Sequence, residues 1–161
     1  MVESVFSVDG VVARADPHYQ PREGQLAMAQ AVAHAMGAGE VLVAEAGTGV
    51  GKTYAYLVPA LLSGERVLLS TATKALQDQL FSRDIPRLVQ ALEVPVRVAL
   101  LKGRSSYLCL HRLGMARHAV GGESPQQIRV LAKIEEWSRS TRSGDLSELT
   151  GLDDRSPVIP W

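Results

Sequence analysis

The chain has 161 residues, of which 46% are hydrophobic and 21% charged, and these proportions indicate about one globular domain with its own core. They exclude a long disordered chain, and no apolar run approaches the roughly 18–20 residues that span a bilayer. The 17 basic side chains balance 17 acidic ones, so any nucleic-acid surface must be local. The single cysteine, Cys109, excludes an internal disulfide, and without a signal peptide we expect a cytoplasmic protein.

The N-terminal part of the chain changes character at Arg22. Residues 1–21 show no sustained periodicity, and we interpret them as a leader with room for a short extended piece. From Arg22 to Met36 apolar residues recur at helical spacing, and Gly37-Ala38-Gly39 supplies a stop. The sequence therefore predicts one amphipathic helix directly after the leader.

Three short apolar runs alternate with helical segments in the middle of the chain. Helices are predicted at 52–62 and at 74–83, the second interrupted by Asp84-Ile85-Pro86 and restarting toward Leu92. The apolar runs read as strands and are Val41–Ala44, Arg66–Ser70 and Val96–Leu101. Because they are uniformly apolar rather than alternating, they predict an α/β fold with a parallel sheet covered on both faces.

The strand signal disappears after Lys102. Helices are predicted at Tyr107–Val120 and Pro125–Ser140 with Gly121-Gly122 between them, while residues 142–161 contain only turn formers and an apolar end. A sheet of three strands would leave a long apolar edge unpaired, which natural domains avoid. We therefore interpret the chain as a fragment of a longer protein.

The strongest chemical signal is a glycine-rich loop between a predicted strand and a predicted helix. Glycines let backbone N–H groups converge on phosphate oxygens, and the helix N-terminus adds partial positive charge. Lys52 would reach the β- and γ-phosphates and Thr53 would bind Mg²⁺. The alternative is a glycine-rich turn followed by a chance Lys-Thr pair. No Asn-Lys-x-Asp box signals guanine, so ATP is favoured. The loop consists of Ala46, Gly47, Thr48, Gly49, Val50, Gly51, Lys52 and Thr53.

The segments around this loop resemble those of a known family. In this order they resemble superfamily-two helicases and, more narrowly, the XPD-like iron–sulfur DNA helicases of the bacterial DinG/YoaA branch. After the leader at 1–21, the resemblance implies a partial RecA-like P-loop NTPase domain at 22–103 and the helical start of an iron–sulfur domain at 104–161. The segments are His18–Gln25, Glu45–Thr53, Ser70–Leu80 and Leu101–Cys109.

The resemblance also assigns residues to adenine. It makes Gln25 the glutamine that reads the base, Arg22 a supporting contact and Tyr19 a candidate to stack on the ring. A glutamine amide offers a donor and an acceptor that match the N6/N7 edge of adenine and mismatch guanine. The alternatives are that Gln25 and Arg22 open an exposed helix and that Tyr19 is a packing aromatic.

Two further groups are assigned to single-stranded DNA. By resemblance, Thr71, Thr73 and Lys74 contact the phosphodiester backbone, to which hydroxyl and ammonium groups donate without reading sequence. Thr73 could equally be an ordinary helix N-cap. Residues 94–122 contain seven basic or histidine side chains and no acid, from which Lys102 and Arg104 are the candidates for DNA. The alternative is a solvated helix face.

Cys109 and the missing motifs limit what this chain can do. In the family, a cysteine at this position is the first of four thiolates on a [4Fe-4S] cluster, but the other three are absent. Taken alone, Cys109 would be a buried thiol. The resemblance implies an ATP-dependent 5′–3′ DNA helicase acting in repair or replication, and we expect it to be a monomer. The chain carries no Asp-Glu-x-His box, so we expect no hydrolysis by it alone. The alternatives are another P-loop ATPase and a non-catalytic nucleotide- or DNA-binding module.

Overall fold

Two short helices replace the expected leader. The computed structural model describes residues 2–16, 18–118 and 125–150, and it places α1 at Val2–Val5 and α2 at Val11–Ala15. The sequence pattern did not predict these two helices, whereas Asp16 and Arg22 outside them have extended backbone. Val5, Phe6 and Val12 are buried and belong to the main hydrophobic core. Helices of four and five residues are too short to show a periodicity in the sequence, and packing stabilises them.

The two longest helices of the N-terminal half were predicted correctly. Helix α3 covers Glu23–Ala38 and ends at Gly39, and α4 covers Lys52–Leu62. They pack against each other with Ala29 and Ala55 both fully buried, so small side chains allow a close approach. This packing brings the start of α3 beside the loop that precedes α4.

A continuous helical path replaces the expected interruption near Pro86. Helix α5 (Lys74–Gln79) runs into a π-helical turn at Leu80–Asp84 and then into α6 (Ile85–Leu92). Proline lacks an N–H and its ring clashes with the carbonyl four residues earlier in a regular α-helix. A π-turn widens the helix at this point, and Pro86 falls in the first turn of α6, where its missing donor costs little.

The predicted parallel sheet is not seen among the described residues. Val41–Ala44, Arg66–Ser70 and Val96–Leu101 form no strands there, and the β-pairing found is one isolated antiparallel bridge between Tyr107 and Asp145. Val43 and Leu68 are each 92% exposed. A strand forms only when a neighbour supplies N–H and C=O partners, and these three segments do not supply them to one another.

The described residues fall into two compact units, one within Met1–Leu100 and one within Leu101–Trp161. In the second unit α7 (Leu110–His118) and α8 (Pro125–Ser138) pack around a small core. Short 3-10 turns cover Arg104–Ser106 and Leu146–Glu148. The expected Gly121-Gly122 break and the apolar end lie outside the described residues. No helix in the described part of the chain is long and apolar enough to cross a membrane.

Candidate nucleotide-binding site

The glycine-rich loop leads directly into the N-terminus of α4. Gly49 and Gly51 have φ angles of +82° and +88°, a left-handed backbone that glycine adopts without strain. Gly51 is the N-cap of α4, and no side chain caps the helix. The first backbone N–H groups of α4 therefore have no side-chain acceptor, which is the arrangement that binds an anion such as phosphate.

The Lys52 side chain is hydrogen-bonded to the backbone of the glycine-rich loop. Its ammonium Nζ donates to the carbonyl oxygens of Ala46 and Gly47, each at 2.7 Å. Phosphate oxygens would offer the same ammonium a charged acceptor, and charge-assisted hydrogen bonds are stronger than bonds to a neutral carbonyl. Lys52 is therefore positioned at the loop and can exchange its carbonyl partners for a bound phosphate.

Thr53 is half-buried next to Lys52 and interacts with Tyr56 one turn further along α4. Burial raises the pKa of Tyr56, the hydrogen bond with Thr53 lowers it in part, and the charge of Asp84 raises it further. The phenol is thus neutral at physiological pH. The Thr53 side chain is thus engaged with Tyr56 in the first turn of α4.

The residues assigned to adenine form a hydrogen-bonded chain to the same loop. Gln25 is 4% exposed, and its Nε2 donates to the Gly51 carbonyl at 3.0 Å. The Tyr19 hydroxyl donates to Gln25 Oε1 at 3.1 Å and lies 3.2 Å from the Phe6 carbonyl. A Cβ added to Gly51 would meet Gln25 Nε2 at 2.2 Å, so the two residues are in tight contact. The start of α3 therefore braces the loop.

Arg22 makes a second connection between the start of α3 and the loop. It is the exposed N-cap residue of α3, and its guanidinium donates to the Gly49 carbonyl. Burial raises the pKa of Tyr19, and the charge of Arg22 offsets part of that rise, so the phenol keeps its proton at neutral pH. Arg22 and Gln25 thus bond the loop directly, and Tyr19 bonds it through Gln25.

The first group assigned to DNA lies at the start of α5. The Thr73 hydroxyl accepts from the Leu76 N–H at 3.2 Å. Thr73 is therefore the N-cap of α5, which was the alternative to a DNA contact in the sequence analysis. Thr71 Oγ1 donates to the Thr73 carbonyl at 3.3 Å, and Lys74 is exposed. The cap uses one acceptor of Thr73 and leaves its hydroxyl proton for another partner.

Lys102 is placed differently from what a DNA-contacting side chain requires. Its Nζ lies 2.8 Å from Asp145 Oδ2, with the two side chains only 6% and 11% exposed, and it also donates to Ser147 Oγ at 3.1 Å. Residues 94–122 contain no acid, so that stretch of sequence gave no sign of an acidic partner for Lys102. The partner, Asp145, lies further along the chain. Arg104 is exposed in the 3-10 turn. Of the two, Arg104 presents its charge to solvent.

Cys109 is a free and exposed thiol directly before α7, so the alternative of a buried thiol is wrong. Its carbonyl accepts from the Leu113 N–H at 2.9 Å, which places it at the helix start. Among the described residues no three His, Cys, Asp or Glu side chains group as metal ligands. The thiol is accessible, but the described part of the chain supplies no complete ligand set.

Sequence reasoning missed two residues that organise these sites. The Phe6 carbonyl contacts Tyr19, and Asp145 neutralises Lys102. A backbone carbonyl leaves no sequence signal at all. Asp145 had a weak signal, since it follows Ser143-Gly144 in a region of turn formers, but nothing in the sequence connects it to Lys102.

Comparison with known proteins identifies similar sequences over most of the chain. The family model for DEAD/DEAH box helicases matches residues 26–138. The chain is 49% identical to the ATP-dependent DNA helicase YoaA of Escherichia coli (strain K12), over 96% of this chain and 24% of that protein. It is 44% identical to YoaA of Haemophilus influenzae, over 99% of this chain and 25% of that protein. It is also 44% identical to the ATP-dependent helicase DinG of Mycobacterium tuberculosis (strain ATCC 25177 / H37Ra), over 84% of this chain and 24% of that protein. The chain thus spans about a quarter of the length of these relatives.

Proposed function

The chain belongs to the DEAD/DEAH box helicase family, and we propose that it is the ATP-binding part of an ATP-dependent DNA helicase. The observation that carries the proposal is the loop before α4, with Lys52 Nζ at 2.7 Å from two loop carbonyls and Gln25 bonded to Gly51. Lys52 would bind the β- and γ-phosphates. Thr53 would bind Mg²⁺, and Ala46–Val50 would surround the phosphates with backbone N–H groups.

The proposed domain is RecA-like with a parallel sheet. The support is chemical: three apolar segments, Val41–Ala44, Arg66–Ser70 and Val96–Leu101, expose side chains that an aqueous surface does not favour. Strands supplied by the remaining three quarters of a protein of the relatives' length would pair with these segments and bury them. The proposed boundaries are 22–103 for this domain and 104–161 for the start of an iron–sulfur domain, after residues 1–21.

Single-stranded DNA is the proposed macromolecular partner. Thr71, Thr73 and Lys74 lie together at the start of α5, where hydroxyl and ammonium donors suit phosphodiester oxygens. Arg104 is the exposed cation of the second unit proposed for the same role. Lys102 would contribute by holding the segment that carries Arg104, since its own ammonium is paired with Asp145. In the proposed helicase, which acts as a monomer with 5′–3′ polarity, these contacts are independent of base sequence.

An iron–sulfur cluster is proposed for the longer protein and not for the described residues alone. Cys109 is exposed and could supply one thiolate. A [4Fe-4S] cluster held by four thiolates needs three more sulfur ligands, which this chain lacks because it has one cysteine. The cluster would therefore depend on cysteines contributed by other parts of that protein.

Calorimetry with Mg-ATP tests the proposed function on this chain and on Lys52→Ala. We expect the wild type to bind and Lys52→Ala to bind at least about tenfold more weakly, because a charge-assisted contact to phosphate is lost. Lys133→Ala removes an exposed lysine of α8 and is the matched control, with binding as in the wild type. Absence of binding by the wild type, or equal binding by the wild type and Lys52→Ala, would show that the assignment of the loop is wrong.

A further inference from the structure

Thr53 and Tyr56 lie three residues apart on α4, a spacing that places two side chains next to each other on one face of a helix. Both are half-buried, and their side chains are hydrogen-bonded. A long helical side chain points back toward the helix N-terminus, so Tyr56 leans over the turn that contains Thr53. Tyr56 also packs against the main hydrophobic core. The contact therefore joins the Thr53 hydroxyl to a ring that the core holds in place.

The hydrogen bond runs from the Thr53 hydroxyl to the Tyr56 oxygen. Burial raises the pKa of Tyr56, and the bond with Thr53 lowers it in part, which is the direction expected where the phenol oxygen accepts. The charge of Asp84 also acts on the phenol, and a hydroxyl dipole turns its proton toward a negative charge. Asp84 is 5% exposed, and its oxygens accept from Gln79 Nε2 at 2.8 Å and Arg83 Nε at 2.9 Å, so this charge is held in place. The phenol proton is thus drawn to Asp84, and the phenol oxygen is left to accept from Thr53.

This direction suits a threonine that binds a cation. A hydroxyl has one proton and two lone pairs, and Mg²⁺ takes an oxygen lone pair. Donating the proton to Tyr56 uses neither lone pair of Thr53. A threonine within a helix otherwise divides between two χ1 rotamers, because its hydroxyl can bond a carbonyl of the preceding turn. Contact with Tyr56 selects one position for the hydroxyl, and a ligand held by a second side chain binds its metal more tightly.

We propose that Tyr56 is a positioning residue, whose phenol oxygen accepts from Thr53 and so presents the lone pairs of that hydroxyl to the Mg²⁺ of bound Mg-ATP. A hydroxyl bound to a cation is a stronger donor, so the hydrogen bond to Tyr56 strengthens when Mg²⁺ is present. Tyr56 therefore adds to the binding of Mg-ATP and adds little to the binding of ATP without a divalent cation. This inference rests on the proposed ATP-binding function and names a residue that acts on it through Thr53.

The test measures the affinity of this chain for ATP by calorimetry, once with excess Mg²⁺ and once with EDTA and no divalent cation. The ratio of the two affinities reports the contribution of Mg²⁺. Tyr56→Phe keeps the ring and removes only the hydroxyl. We expect its Mg-ATP affinity to fall about threefold to tenfold, as for the loss of one hydrogen bond, and its affinity for metal-free ATP to stay within about twofold. Tyr54→Phe is the matched control and keeps the wild-type ratio, because Tyr54 packs against the same core but is hydrogen-bonded with Arg87.

A double-mutant cycle shows whether Tyr56 acts through Thr53. Thr53→Val keeps the shape of the side chain and removes its hydroxyl, and in that background Tyr56→Phe should change the ratio by less than about twofold. Thermal melts fix an assay temperature at which every variant is folded. An unchanged ratio in Tyr56→Phe, or an equal fall of the ratio in the wild-type and Thr53→Val backgrounds, would overturn the inference and leave the loop assignment intact.

The wild type separates this inference from the proposed function. A wild type that binds ATP equally well with and without Mg²⁺ would overturn the inference together with the assignment of Thr53 to Mg²⁺. If the wild type binds no ATP in either condition, the proposed function and this inference both fail.

Discussion

At the scale of single residues, the Lys102–Asp145 pair shows how burial changes the role of a charge. Burial alone raises the pKa of Asp145, but the hydrogen bonds from Lys102 and Ser147 and the charge of Lys102 outweigh it, so the pKa lies below its ordinary value. The Lys102 backbone N–H also donates to the Tyr107 hydroxyl at 2.9 Å. The pair therefore ties residues 101–107 to the turn at 144–147, and Lys102 has a structural task within the basic stretch.

This pair predicts how stability depends on pH. A carboxyl whose pKa is lowered by folding stabilises the folded state above its unfolded pKa of about 4, and that contribution is lost as pH falls through the folded pKa. Asp145→Asn should remove this acid-sensitive contribution and destabilise the second unit at neutral pH by about 1–3 kcal/mol, because the buried Lys102 ammonium exchanges a charged acceptor for a neutral one. Melts followed by tryptophan fluorescence report on it, since Trp137 packs against this core.

The exposed Glu136 of α8 provides the control for that measurement. Glu136→Gln also removes one carboxylate from the same unit but breaks no buried pair, so its melting temperature should follow the wild-type pH profile. Wild-type and Asp145→Asn profiles that run parallel from neutral pH to pH values below about 4 would contradict the prediction, because the pair would then add no acid-sensitive stability.

At the scale of elements, the N-terminal helix pair belongs to the core that carries the loop. Helix α1 packs against α3 and α4, and α2 packs against α6. Arg87 Nη1 of α6 lies 3.8 Å from Asp16 Oδ2 at the end of α2, and the Arg87 side chain is also hydrogen-bonded with Tyr54 of α4. The Phe6 carbonyl reaches Tyr19. Residues 2–16 therefore include helices that pack against the elements on both sides of the glycine-rich loop.

Deleting residues 1–16 should lower both stability and ATP affinity. Val5, Phe6 and Val12 are 5%, 3% and 1% exposed, and each fully buried side chain of this kind contributes about 1.5–3 kcal/mol. The Asp16–Arg87 pair is partly exposed and adds little. Chemical denaturation and calorimetry measure the two losses. Val8→Ala changes a 74% exposed side chain of the same segment and should leave both unchanged. A truncated chain with wild-type stability would refute this account.

The difference between predicted and observed elements follows from their length. Helices α3 and α4 were predicted because 16 and 11 residues are long enough to show a periodicity. Helices α1 and α2 are shorter than two turns, so their apolar residues look the same as those of a loop. The π-turn at Leu80–Asp84 was missed because a proline signals a helix break and does not indicate how the backbone accommodates it.

At the scale of the whole molecule, the main unexplained feature is the solvent exposure of apolar segments that were predicted as strands. Val41 and Val43 are 94% and 92% exposed, and Leu68 is 92% exposed. Apolar segments with high β-propensity and no pairing partner are templates for association with another chain. In the proposed complete domain the same side chains are buried in a sheet. The same exposed segments thus lead to two predictions, one on the association of this chain and one on the folding of the longer protein.

Val43→Lys combined with Leu68→Lys should have opposite effects in the two contexts. In this 161-residue chain the charges should oppose association, so sedimentation velocity should show a smaller share of oligomers than in the wild type. In a chain continued to the length of the relatives, the same charges would be buried and should prevent folding. Glu65→Lys changes an exposed charge next to the second segment and should alter neither property. A monomeric wild type would contradict the prediction of association, and a longer double variant that folds normally would show that these segments are not buried strands.

The sequence by itself determined the family, the glycine-rich loop before a helix and the long helices, because these depend on local patterns. Glycine spacing, a Lys-Thr pair and a 3.6-residue periodicity are visible within a dozen residues. Only the tertiary structure decided which groups meet. Gln25 and Gly51 are 26 residues apart, and Lys102 and Ser147 are 45 apart, yet each pair is joined by a hydrogen bond. Such contacts result from how helices pack, and a hydrogen bond depends on distance and direction that residue types alone do not specify.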